Sequence, residues 1–175
     1  MVCLWMCCGL GLATTCDSSS EPLNTQAFSR TVSSAGGCTC AVLTSGDVFC
    51  DGDNNGGRCV SQIDAFPSHA IQVDVGHQFA CALLLVGDIE CWGTFSASFP
   101  TLGDEELYVK VSSGNGHACA ITSIGQLFCV GDGTYGRTSV PNGVGVWGDV
   151  ACGYHHTVAS TATGELYAFG ANGHG

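Results

Sequence analysis

A chain of 175 residues has room for one ordinary domain, and its 45% hydrophobic content excludes a disordered polymer. Only 11% of residues are charged while Gly numbers 26, a balance that excludes helical bundles and coiled coils with charged outer faces. A formal charge of −11 disfavours nucleic acid phosphates and anionic membranes as partners, and 13 Cys point to a disulfide framework or a metal site.

Residues 1–31 read as a separate segment. Val2 to Ala13 is an apolar run of signal-peptide length, too short to span a bilayer, with Gly11 and Ala13 placed as the small residues before a cleavage point. No Lys or Arg precedes it, so the same residues also read as the torn end of a preceding structural unit, followed by the polar linker TTCDSSSEPLNTQ. Cleavage after Ala13 would remove Cys3, Cys7 and Cys8 and leave ten of the 13 thiols, an even number. No other stretch is suited to crossing a membrane.

From Val32 onward the chain repeats itself. SSAGGCTCAVLTSGDVFCDG from Ser33, DVGHQFACALLLVGDIECWG from Asp74, SSGNGHACAITSIGQLFCVG from Ser112 and ACGYHHTVASTATGELYAFG from Ala151 align without gaps, their starts offset by 41, 38 and 39 residues. Three columns are invariant: Ala41, Ala82, Ala120 and Ala159; Gly46, Gly87, Gly125 and Gly164; and Gly52, Gly93, Gly131 and Gly170.

Each unit reads as a β-hairpin, an apolar run such as CAVL followed by a polar turn ending in Gly and a second run such as DVFC. A three-residue loop closed by a left-handed residue accounts for Gly46 and its equivalents and pairs Leu43 with Asp47. The same register sets Cys40 opposite Cys50, Cys81 opposite Cys91 and Cys119 opposite Cys129, close enough across a ribbon for three structural disulfides. The fourth unit has Val158 and Ala168 there, a replacement that suits a buried staple and not a metal ligand.

The candidate chemistry is weaker than the repeat. DGDNNG places Asp51, Asp53 and Asn55 before Gly56 like the opening of a calcium loop, but its twelfth position is Gln62 and no helical pattern flanks it. Cys38, Cys40, Cys50 and Cys59 can be drawn as a four-thiolate zinc site. Because Cys40 and Cys50 have equivalents in units without the extra thiols, Cys38 with Cys59 reads instead as an added bridge. Asp104, Glu105 and Glu106 read as a solvated loop between units.

The G-x-G-x-x-G strings at Gly131–Gly136 and Gly143–Gly148 lack the following helix that a dinucleotide site needs. His155 and His156, adjacent on a strand, point to opposite faces, and His117 shares a repeat column with His156, which suits packing. No nucleophile elbow, P-loop or glycosylation sequon occurs.

The pattern G-x-x-H-x-C-A-[IL]-x-x-x-G-x-[IL]-x-C-W-G-x-N-x-x-G resembles the regulator of chromosome condensation repeat in its short, cysteine-paired form, as in plant crinkly-type receptor ectodomains; in repeat length it is similar to the β-lactamase inhibitor protein II propeller. Gly114, His117, Cys119, Ala120, Gly125, Cys129 and Gly131 fit the third unit, and Gly153, His156, Ala159, Gly164, Gly170 and Asn172 fit the fourth. Departures are Ala35 for the first unit's Gly, and Asp51, Val130 and Phe169 where only Trp92 keeps the pattern's Trp.

The resemblance implies an all-β fold, a partial β-propeller of about four repeat units over residues 32–175, belonging to a ring that commonly has seven four-stranded blades. The chain is therefore expected to be a fragment of such a ring. Its expected role is non-catalytic recognition of a protein or small ligand by loops on a disulfide-stapled scaffold, with no metal or cofactor, in an extracellular or secretory setting. The alternatives are an intracellular guanine nucleotide exchange factor or chromatin-associated regulator, in the cytoplasm or nucleus, and a metal-dependent module using Asp51, Asp53 and Asn55. Partners for Cys16 and Cys152 are left open.

Overall fold

A computed structural model describes residues 32–60, 66–95, 98–103 and 105–173. The signal-like segment with Cys3, Cys7, Cys8 and Cys16, and also Gln62 and Asp104, lie outside the described residues.

The four repeats form four antiparallel sheets of three strands each, every sheet ordered as its strands follow in the chain. The first holds β1 (Val32–Ala35), β2 (Cys38–Val42) and β3 (Val48–Gly52), and the second β4 (Ala70–Val75), β5 (Phe79–Leu84) and β6 (Ile89–Gly93). The third holds β7 (Tyr108–Ser113), β8 (His117–Thr122) and β9 (Leu127–Gly131), and the fourth β10 (Trp147–Cys152), β11 (His156–Thr161) and β12 (Leu166–Gly170). The hairpins read from the repeat are β2–β3, β5–β6, β8–β9 and β11–β12; a further strand precedes each. The four-stranded blade of the common ring is thus represented by three strands among the described residues. After β3 and β9 the chain makes short 3-10 turns at Asn55–Gly57 and Thr134–Gly136 in place of an outer strand.

Hairpin register follows the turn. The N–H of Gly46 donates to the carbonyl of Leu43, that of Leu43 donates to Asp47, and Gly46 has φ of 84°. Cys40 lies opposite Cys50, Cys81 opposite Cys91, Cys119 opposite Cys129 and Val158 opposite Ala168. The three Cys couples have Cα atoms 4.1, 4.0 and 4.1 Å apart with their sulfurs at bonding distance, and Cys38 is joined likewise to Cys59.

The core is a series of layers between successive blades. Strand β5 turns Ala80, Ala82 and Leu84 to the first blade, where they meet Cys38, Cys40, Val48 and Cys50. Its alternate residues Phe79, Cys81 and Leu83 face Tyr108, Val111, Ala118 and Ala120 of the third blade. Cys119, Ile121 and Leu127 repeat that role toward Trp147, Val150 and Ala159. The invariant Ala column is thus the small-residue side on which each blade receives the one before it, and the cysteine couples sit on the opposite side, with Cys40, Cys50, Cys81 and Cys119 buried by the blade that follows and Cys91 and Cys129 half-buried at its margin.

Side chains at the first repeat position stitch these layers. The Val75 N–H donates to Ser33 Oγ at 3.0 Å, the Ser113 N–H to Asp74 Oδ2 at 2.6 Å and the Cys152 N–H to Ser112 Oγ at 3.0 Å, each reaching from one blade to the next.

Candidate functional site

The loops joining the first and second strands of the blades gather at one end of the stack. Their backbones are tied in sequence: the His77 N–H donates to the Gly114 carbonyl at 3.1 Å and the Asn115 N–H to Gly153 at 3.3 Å. His77, Asn115 and Tyr154, equivalent positions in three blades, line a shallow cleft of about 250 Å³ with Val75 and Cys152.

A second set of loops, those after β3 and β9, reaches the same end through two buried arginines. Arg58 bonds the Gly36 carbonyl and pairs with Asp53; Arg137 donates to the Tyr154 carbonyl at 3.0 Å and pairs with Asp132. Both guanidinium groups are buried, and both occupy the sixth position after an invariant Gly. Asp132 is held below its ordinary pKa, first by the hydroxyl and backbone N–H of Thr134, then by Arg137. The Asp-x-x-x-x-Arg spacing was visible in the sequence at 53–58 and 132–137, but only the structure gives it meaning as a loop clamp.

On this support stands an aromatic group. Tyr154 meets His155 edge to face at 4.4 Å between ring centroids, Tyr135 meets His155 at 5.3 Å, and His77 meets Tyr154 at 5.6 Å. Tyr135 is 63% exposed and Tyr154 54%. Tyr135 has φ of 63°, the only positive value at a non-glycine position among the described residues, where the first repeat places Gly56 at 82°.

The other candidate residues have structural employment. Asp53 accepts the Asn55 N–H and pairs with Arg58, while Asp51 lies opposite Thr39 on the sheet, so their carboxylates serve different neighbours. The string at Gly131–Gly136 is a strand end and a 3-10 turn. His155 Nδ1 lies 3.3 Å from Arg137 Nη1, whereas His156 turns to the open side of the fourth blade. Cys152, whose partner was open, packs beside Cys119 and Thr157; burial first of all pushes its thiol up to about 12, which leaves a poor nucleophile at neutral pH.

His117 is fully buried, with Nε2 at 2.9 Å from Thr157 Oγ1 in the next blade. Burial, then the charge of Arg137, depresses its pKa to about 4. The unfolded imidazole takes up a proton near pH 6.5 and the folded one only near 4, so the unfolded chain binds more protons between those values. Stability is expected to fall as pH drops through that window, by up to about 1.4 kcal/mol per unit. Urea titrations at stepped pH check this, and His117→Gln is expected to flatten that part of the profile.

Residues 108–137 and 149–175 match the regulator of chromosome condensation (RCC1) repeat. The third and fourth units of this chain are RCC1 repeats. The ultraviolet-B receptor UVR8 of Arabidopsis thaliana is 30% identical over 126 aligned residues, a match that takes in 57% of this chain and 29% of that receptor. Among solved structures, Prp20p of Saccharomyces cerevisiae superposes with a TM-score of 0.70 at 19% identity, covering 81% of this chain and 44% of Prp20p. The CRINKLY ectodomain of the Arabidopsis thaliana receptor kinase ACR4 gives a TM-score of 0.60 at 25% identity, covering 79% and 48%. The chain thus spans less than half of each of these proteins, and its RCC1 repeats have the fold of their propeller blades.

Proposed function

We propose that these RCC1 repeats form a non-catalytic recognition scaffold whose binding face is the aromatic rim of His77, Tyr135, Tyr154 and His155. One observation carries this reading. Tyr135 holds a backbone conformation that costs a non-glycine residue about 1–2 kcal/mol, and it does so with its ring largely in solvent. Strain kept at an exposed aromatic side chain on a clamped loop is what a recognition site requires, and Tyr is among the residues that dominate binding energy at protein interfaces. The partner is a protein with a neutral or basic surface, in keeping with a net charge of −11.

The crinkly-type ectodomain likeness and the paired cysteines support an extracellular setting for a stapled scaffold. We place the four blades within a larger ring, in which the solvent-facing side of the fourth blade, with Leu166 at 76% exposure, seats a further blade.

Tyr135→Gly separates recognition from folding. Relief of the strain is offset by about 0.5–1 kcal/mol of glycine flexibility, so the melting transition stays close to that of the unaltered chain. Affinity-capture mass spectrometry is expected to find a protein held by the unaltered chain and lost from both Tyr135→Gly and Tyr154→Ala. Retention of the same proteins by all three would exclude the rim. Alkylation of native material without reductant tests the compartment: reactive Cys40, Cys50, Cys81 and Cys91 would exclude the extracellular setting.

A further inference from the structure

The first blade differs from the others in its sulfur content. Cys38, Cys40, Cys50 and Cys59 all lie in the layer between the first two blades, none more than 6% exposed. The sulfurs of Cys38 and Cys40 are 3.7 Å apart and those of Cys38, Cys40 and Cys50 lie within 4.8 Å of one another; Cys59 stands outside this trio while bonded to Cys38, so reduction must free its side chain to turn toward Cys40 and Cys50. Four thiolates around one zinc ion, at Zn–S distances of about 2.3 Å, have sulfur–sulfur edges of about 3.8 Å.

We infer that this cluster is a redox-dependent zinc site: two disulfides when oxidised, and a single Zn²⁺ bound by the thiolates of Cys38, Cys40, Cys50 and Cys59 when reduced. Each disulfide gains two electrons and two protons from a dithiol, which leaves as its own disulfide. Zn²⁺ then displaces the four thiol protons to solvent, and no other bond changes.

The surroundings fit a soft, closed structural site. Val73, Ala80 and Ala82 share the buried apolar layer with the four cysteines, and the partly buried Trp92 packs against it. A zinc tetrathiolate carries two negative charges, and the neighbouring cation in the chain is Arg58, next to Cys59, whose buried guanidinium bonds the Gly36 carbonyl and Asp53 and has an Nε with no acceptor among the described residues. Elsewhere the set is incomplete. The second blade has only Cys81 and Cys91, and in the third, where His117 and Cys152 approach Cys119, His117 Nε2 is engaged by Thr157.

The site is independent of what the rim binds. The full chain, reduced with a water-soluble phosphine (which leaves as its oxide and competes little for zinc), is desalted with and without added Zn²⁺ and then alkylated. Peptide mass spectrometry reads each thiol separately. The expected result is one retained zinc per chain, with alkylation of Cys38, Cys40, Cys50 and Cys59 suppressed by zinc while Cys81, Cys91, Cys119 and Cys129 react. Cys38→Ser/Cys59→Ser is expected to lose that equivalent and Cys81→Ser/Cys91→Ser to keep it. The peptide map decides the matter even where a variant folds poorly. Retention of no zinc, zinc protection that falls on Cys119 and Cys152 or on the N-terminal thiols instead, or full retention by a folded Cys38→Ser/Cys59→Ser chain would each overturn the assignment.

Discussion

Gly131→Ala is expected to destabilise the chain by about 2–5 kcal/mol, a large part of the stability of an ordinary domain, whereas Gly164→Ala is expected to cost about 1–2 kcal/mol. Both glycines have positive φ, 101° and 90°. They differ in what a methyl group would meet. At Gly131 a Cβ would stand 2.5 Å from the Gly116 carbonyl and 3.0 Å from the His117 Cα, so backbone must move; at Gly164 nothing lies within 4 Å. The backbone penalty is common to both, and the further 1–3 kcal/mol of a forced shift falls on Gly131 alone. Urea midpoints of the two variants, read with their slopes, measure the difference. Equal losses would show that the close approach to Gly116 yields freely.

That comparison also marks how far the sequence could be read. The turn column was legible with its cause, because a three-residue hairpin loop demands a left-handed residue and Gly46 supplies it within a local motif. The column of Gly52, Gly93, Gly131 and Gly170 was legible only as a pattern. Its cause is the carbonyl of Gly37, Gln78, Gly116 or His155, which the paired strand brings against it from about fifteen residues earlier. Cysteine register was legible for the same local reason as the turn. The leading strand of each blade was not: VSSA, AIQVDV, YVKVSS and WGDVAC share little beyond β-leaning residues, since what they must do is dock on a neighbouring blade.

The rim escaped for a related reason. Alignment sets Tyr135 against Gly56, which in sequence is an ordinary substitution; it becomes a signal once both are seen with positive φ in the same 3-10 turn. The contacts of His117 and Cys119 with Thr157 likewise depend on how one blade sits on another, a relation that repeat spacing leaves open. Residues governed by their own hairpin could be read from the chain; residues governed by a neighbouring blade could not.

Reduction in the presence of a chelator is expected to unfold the blades. Each cross-strand couple closes a loop across a separation of 10 residues and Cys38–Cys59 one of 21. In the chain-entropy treatment the former stabilise by about 3 kcal/mol each and the latter by slightly more. Together they approach the upper end of the stability of a whole domain, about 5–15 kcal/mol, and layers as thin as Ala80, Ala82 and Leu84 against the first blade offer little in reserve. The fourth blade supplies the internal comparison, because Val158 and Ala168 hold the same cross-strand positions without sulfur. Cys81→Val/Cys91→Ala transplants that pair into the second blade, where Cys81 is fully buried against the third. It is expected to lower stability by about 2–3 kcal/mol, less than an Ala pair would, because the valine refills the hole left by the buried Cys81 while Cys91 is only half-buried. Thermal unfolding with and without reductant separates the two contributions: the difference between reduced and oxidised chains should shrink in the variant by the share of one couple. An undiminished difference would mean that this couple does not restrain the unfolded chain, and that the second blade stands on its packing alone.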